Sequence, residues 1–168
     1  MRKGIDLLES PRVVGLISNV LVVWGALAIS IAILSWTGSS FGRGTAGPRS
    51  APWTPAGEFI GAVWSLLYTL MALSLWRLNQ LPRETRNHLK LAVIALIAFC
   101  LVWPFYAFDT ATRWPGLLGN FGILVLALFA TWRLWPYCRT AALMIAPVAV
   151  WITIASATIL DGARRFGW

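Results

Sequence analysis

Trp53-Thr54-Pro55-Ala56-Gly57-Glu58-Phe59-Ile60-Gly61-Ala62-Val63-Trp64-Ser65-Leu66-Leu67-Tyr68-Thr69-Leu70-Met71-Ala72-Leu73 passes from turn chemistry into an unbroken apolar helix. Pro55 and Gly57 shape the entry, and Glu58 suits the positive end of a helix dipole. Trp64 then lies about two turns inside the apolar run. A helix that starts with an acid beside water and continues through Leu, Met, Ala and aromatic residues is one made to enter a bilayer.

Outward from this stretch the same pattern repeats. The 168 residues are 58% hydrophobic and 12% charged, with 11 tryptophans, and the mean hydropathy is +0.71. That leaves too little polar surface to cover a water-soluble globule. Five segments are long enough to cross about 30 Å of hydrocarbon as helices: 13–36, 59–78, 89–108, 116–135 and 141–160. The breaks carry Gly, Ser and Pro over 37–57, Pro82 within a polar stretch over 79–88, and short connections over 109–115 and 136–140. Short connections make successive helices antiparallel neighbours. The expected architecture is an all-α, five-transmembrane-helix bundle forming a single domain over 1–168, without internal repeats. The tail before the first span carries Arg2, Lys3 and Arg12, but the apolar stretch that follows is too long for a secretory signal and lacks a clean cleavage pattern, so a retained span is expected.

A net charge of +8 raises the question of nucleic acid. The basic residues are scattered over loops and helix ends rather than gathered in a stripe, so no nucleic-acid partner is expected. The membrane accounts for them better. Arg2, Lys3, Arg12, Arg77, Arg83, Arg86, Lys90, Arg133 and Arg139 fall on one side, and Arg43, Arg49, Arg113, Arg164 and Arg165 on the other. The positive-inside rule then puts the N-terminus in the cytoplasm and the C-terminus opposite, with a bacterial inner membrane as the expected location.

Familiar catalytic chemistry has few places to sit. His88 falls in the second loop at the start of the third helix and reads as a solvated interfacial residue, with axial metal ligation as the weaker alternative. Cys100 is mid-membrane and Cys138 in a loop, so neither a disulfide nor a metal spacing is expected. Asp6, Glu9, Glu58, Glu84, Asp109 and Asp161 all lie in tails or at helix ends, which argues against an ion-coupled transporter. Tryptophan is the remaining candidate. Indole offers a large flat π surface and one N–H donor, which suits a flat conjugated ligand. Trp36, Trp76, Trp114, Trp132, Trp135 and Trp168 fall near helix ends and read as interface anchors. Trp53, Trp64, Tyr68, Trp103, Phe105, Tyr106 and Trp151 are open to either reading, core packing or cavity lining. Leu134 to Arg139 also fits a loose cholesterol-contact pattern, too weak to carry weight.

The stretch from Trp53 to Tyr68 resembles the TspO/MBR family, the tryptophan-rich sensory proteins related to the mitochondrial translocator protein, which carry a W-x-P-P-G segment followed by a helix with W and then L-Y. Trp103-Pro104-Phe105-Tyr106-Ala107-Phe108 is similar to the second half of the family's N-x-x-W-S-x-x-F-F. Pro147 to Ser156, with Trp151, is similar to P-Y-x-x-W-x-x-F-A-T. The resemblance covers nearly the whole chain. It departs where the family's lysine-proline pair is Ser50-Ala51, its second proline Ala56, its third-helix asparagine Cys100, its fifth-helix tyrosine Val148 and a later asparagine Ile159.

The resemblance implies a cavity between helices, closed by the first loop, that takes protoporphyrin IX or a related tetrapyrrole, with no cofactor required. Ligand contacts would be Trp53, Trp64, Tyr68, Trp103, Phe105, Tyr106, Pro147 and Trp151. Trp64 and Trp151 match the family tryptophans linked to light- and oxygen-dependent porphyrin breakdown, so they are also the catalytic candidates, since an indole stacked on an excited porphyrin is oxidisable. Three readings stand: a tetrapyrrole-binding sensor or carrier, a porphyrin-degrading enzyme of the same fold, and an accessory subunit of a larger, pigment-containing membrane complex. The lost polar groups favour the last or a more apolar ligand. Besides membrane lipid, a homodimer is implied; Ala92, Ala95 and Ala98, or Gly116, Gly119 and Gly122, would allow close approach either between copies or within one bundle.

Overall fold

The computed structural model describes residues 7–37, 53–107 and 114–166, with the side chains of Tyr106 and Phe166 outside that description. Five helices carry the described chain: α1 (Val13–Trp36), α2 (Gly57–Leu78), α3 (Arg83–Ala107), α4 (Trp114–Leu134) and α5 (Arg139–Phe166). All five are long and apolar enough to cross a membrane, and no strand occurs among the described residues. The protein is an all-helical integral membrane bundle.

Apolar runs place the helices, but the helices outlast the runs. α3 begins at Arg83 rather than 89, because the Pro82 carbonyl accepts the Thr85 and Arg86 N–H groups at 3.1 and 3.0 Å and so opens the helix within the polar segment. His88 therefore lies inside α3. At the other end of the chain α5 continues to Phe166, past 160, with Arg164 and Arg165 at its negative dipole end. Hydropathy marks where lipid stops, and a helix need not stop there.

Helix contacts run α1–α2–α5–α4–α3 and back to α1, with α2 also touching α3 across the middle; α4 with α5 is the most extensive pair. Sequence neighbours α1 and α2, α3 and α4, and α4 and α5 lie side by side, while α2 also takes α5 as a flank. One buried cluster unites Met71, Leu78, Leu89, Val93, Leu96, Ile123, Leu134, Ile145 and Ile152, while Leu21, Ile29, Leu66, Leu91, Leu118 and Val150 face outward. On an aqueous protein that outer surface would drive aggregation, whereas in lipid it is the contact surface. The glycines of α4 turn inward: Gly116 and Gly119 are buried, and an ideal Cβ on Gly122 would stand 2.8 Å from Cζ of Phe99 in α3. They serve packing within the bundle, whereas Ala95 and Ala98 are exposed.

Polar side chains inside the bundle bridge helices. Ser74 Oγ donates to the Ala141 carbonyl at 3.2 Å, and Ser30 Oγ to the Leu101 carbonyl at 3.2 Å. The second bond sits one turn before Pro104, whose ring removes an N–H from α3 and displaces nearby carbonyls. At the same end as the α2–α3 turn, residues 7–12 are clasped. Asn19 and Asn79 both donate to the Leu8 carbonyl, at 2.9 and 2.7 Å; Asn79 also reaches the Ser10 carbonyl at 3.1 Å. Glu9 pairs with Arg86 at 2.6 Å, and the Trp76 indole donates to the Pro11 and Arg12 carbonyls at 3.2 and 3.1 Å. Trp76, read as an interface anchor, thus also holds the clasp.

Gly15 makes that clasp possible, since a Cβ there would collide with the Ser10 carbonyl; Gly25, ten residues on, would meet nothing within 4 Å. Gly15→Ala is expected to lower the thermal midpoint in detergent by the equivalent of about 1–3 kcal/mol of overpacking. Gly25→Ala should leave it unchanged or raise it. Equal behaviour of the two variants would show that the clasp does not depend on this approach.

Candidate functional site

The start of α2, the end of α3, the start of α4 and the end of α5 converge at the end of the bundle opposite the clasp. Trp53 arrives there first. Its indole N–H donates to Asp161 Oδ2 at 2.9 Å, and the same oxygen accepts from Arg165 Nε at 2.9 Å. The segment leading into α2 is thereby tied to the last turns of α5. Ala56 follows in extended backbone (φ −60°, ψ 148°) without a side-chain cap, and Glu58 supplies the acid of the first turn.

Once α2 begins, its 3.6-residue period puts Ile60, Trp64, Tyr68 and Met71 on the face that meets the core. Trp64 is half-buried and Tyr68 fully buried, their rings 5.7 Å apart and inclined at 35°. Across the α2–α5 contact, Phe59 meets Trp151 with ring centroids 6.3 Å apart at 57°. Trp151 is 9% exposed. Trp64 and Tyr68 thus pair within α2, while Phe59 and Trp151 pair across the α2–α5 contact. Pro147 lies half-buried one turn along α5 from Trp151.

The indole N–H groups divide the tryptophans. Trp24 donates to Thr69 Oγ1 at 3.1 Å, Trp53 to Asp161, Trp76 to the clasp and Trp103 to the Gly116 carbonyl at 3.1 Å. Each of these ties two segments together. Trp64 and Trp151 make no hydrogen bond among the described residues, so their donors are uncommitted.

The remaining expected contacts are dispersed. Trp103 is half-buried and pins α3 to α4, and Phe105 is 36% exposed on the outer part of α3. Tyr106, as a side chain, lies outside the described residues, as do Phe108, Ser50, Ala51 and Trp168. Of the substituted family positions, Cys100 and Val148 are buried and Ile159 is half-buried. Cys100 and Cys138 are both free, and no group of His, Cys, Asp and Glu suited to a metal occurs among the described residues.

Two residues escaped the sequence reading. Phe59 stood in the opening stretch but reads there as one more apolar residue. Asn120 is buried in α4, donating from Nδ2 to Ser156 Oγ of α5 at 3.2 Å, while its Oδ1 has no partner among the described residues. An amide within an otherwise apolar span was the available signal. A groove of about 290 Å³ lies elsewhere, between α3 and α4 at the clasp end, and contains none of these residues.

The model described as the TspO/MBR family matches residues 20–161. Protein CrtK of Rhodobacter capsulatus is 29% identical over 146 residues, covering 82% of this chain and 88% of that relative.

The Asn120–Ser156 bond is measurable. A double-mutant cycle over Asn120→Leu and Ser156→Ala, read by thermal stability in detergent, is expected to return a coupling of about 0.6 kcal/mol, the scale of hydrogen bonds between membrane helices. Strict additivity would mean that the two side chains do not meet.

Proposed function

The chain belongs to the TspO/MBR family, and from that premise we propose that it is a tetrapyrrole-binding membrane sensor or carrier. The ligand, protoporphyrin IX or a close relative, lies against the α2–α5 seam at the end that Trp53 ties down. Trp64 and Trp151 carry this reading: two large rings on packed helices whose N–H groups hold no structural bond among the described residues. A flat conjugated macrocycle gains dispersion from such rings and can accept from their donors. Tyr68 backs Trp64 from the core, and Phe59 backs Trp151.

Asn120, at the α4–α5 contact, has a carbonyl oxygen without a partner among the described residues and would be the one polar group near an otherwise apolar site. The buried Cys100 and Val148 make that site less polar than the family pattern, which favours an apolar macrocycle edge over a carboxylate on that side. Orientation follows charge: the clasp end faces the cytoplasm of a bacterial inner membrane. A membrane-impermeant maleimide should then label Cys138 in inverted vesicles and not in right-side-out ones; the reverse pattern would invert the topology.

The binding test is a titration of detergent-purified protein with protoporphyrin IX in the dark, followed by tryptophan quenching and the Soret band, then illumination in air. Trp64→Phe and Trp151→Phe are each expected to weaken saturable binding between about twofold and tenfold, and Trp132→Phe, exposed on α4 at the clasp end, to leave it unchanged. Loss of pigment on illumination that depends on Trp64 or Trp151 would make the protein an enzyme. Uptake that never saturates and equals that of empty micelles would sink the tetrapyrrole reading and favour an accessory subunit.

A further inference from the structure

The groove between α3 and α4 is built by side-chain size. His88, Leu91, Ala92 and Ala95 form one wall, and Leu126, Phe129 and Arg133 the other, of an open groove of about 290 Å³. Ala92 and Ala95 leave the slot open where larger residues would fill it. One turn farther along both helices, Phe99 lies on Gly122 so closely that a Cβ there would come within 2.8 Å of the ring. His88 to Ala95 and Leu126 to Arg133 each rise roughly 10 Å, well inside one leaflet of a hydrocarbon core about 30 Å thick.

Chemistry is graded along that depth. The bottom is wholly apolar, and the two polar residues of the lining, His88 and Arg133, both stand at the mouth, where the start of α3 meets the end of α4. Tyr137 meets the His88 ring edge-on at 6.4 Å and flanks that mouth. Arg133 has no carboxylate partner: the ion pairs among the described residues are Glu9–Arg86 and Asp161–Arg165. The nearest acid along α3 is Glu84, one turn before His88 on the water side, and it does not line the groove. An apolar slot within one leaflet, under a guanidinium without a carboxylate partner among the described residues, is complementary to a lipid with an anionic headgroup.

We propose that this groove is a specific site for an anionic phospholipid, one acyl chain lying between Ala92, Ala95 and Phe129 and the phosphate held by Arg133 and His88. The site is at the opposite end of α3 and α4 from the α2–α5 seam and does not depend on tetrapyrrole binding.

The test uses the full chain reconstituted in phosphatidylcholine vesicles containing a fixed fraction of brominated phosphatidylglycerol or of brominated phosphatidylcholine, with tryptophan quenching as the readout. Phosphatidylglycerol should quench with an apparent affinity about fivefold above phosphatidylcholine, the preference conferred by one basic side chain near the surface. Arg133→Gln should abolish that preference, and Ala95→Leu, which fills the slot on an exposed position and keeps every charge, should reduce it. Arg139→Gln, at the same end but outside the groove, should leave most of it. Equal quenching by the two lipids in the unmodified protein would overturn the proposal. So would equal losses from Arg133→Gln and Arg139→Gln, which would indicate a diffuse surface potential. Cross-linking of α3 to α3 between copies with the preference absent would give the groove to a second copy instead.

Discussion

Within hydrocarbon no water is present to satisfy a polar group, so a hydrogen-bonding side chain that enters the bundle is costly unless it finds a protein partner. That constraint fixes how the helices meet. Ser74 grips Ala141, Ser30 grips Leu101 beside the Pro104 interruption, and Asn120 grips Ser156, so the α2–α5, α1–α3 and α4–α5 pairs each carry a polar register mark. Each bond is worth only about 0.6 kcal/mol on the scale measured between membrane helices. Their value is positional, since sliding a helix by one turn would strand the group. Dispersion then does the rest, through inward glycines on α4 and the cluster around Met71, Leu96 and Ile145.

The tryptophans follow the same logic. Among the described residues, four of them use the indole N–H as a fastener: between α1 and α2 at Trp24, between the α2 approach and α5 at Trp53, between α2 and residues 11–12 at Trp76, and between α3 and α4 at Trp103. Trp64 and Trp151 contribute only ring surface among the described residues. A side chain that is large, flat and unfastened on its polar edge is well placed to meet another flat body. The contrast comes from the hydrogen bonds, and composition alone treats all eleven tryptophans alike.

The fold was legible because apolar length and turn residues speak directly to bilayer thickness. α1 starts and ends where its hydrophobic run does, and the other helices lie where theirs are centred. The ends of α3 and α5 were not legible, since helix hydrogen bonding continues through Arg83–His88 and Asp161–Phe166 where hydropathy falls silent. At the candidate site, the pairing of Trp64 with Tyr68 follows from a spacing of one helical turn. Phe59 against Trp151 does not, because it depends on which helix flanks α2, and chain order offers α1 and α3 before α5. Phe105 looked equivalent to its neighbours in the third-helix motif, yet the helix turns it outward. Asn120 required knowing that Ser156 stands opposite it.

The clasp reverses the usual relation between synthesis and assembly. The carbonyl of Leu8 is held by residues 19 and 79, Glu9 by residue 86, and the backbone at 11–12 by residue 76. A chain delivered to the membrane from its first residue onward has residues 7–12 in place long before most of what secures them. Asn19 of α1 offers the first hold, Trp76 and Asn79 at the end of α2 the next, and Arg86 in the first turn of α3 the last. The earliest segment made is thus a late one to settle, and its closure marks the point at which three helices have found one another.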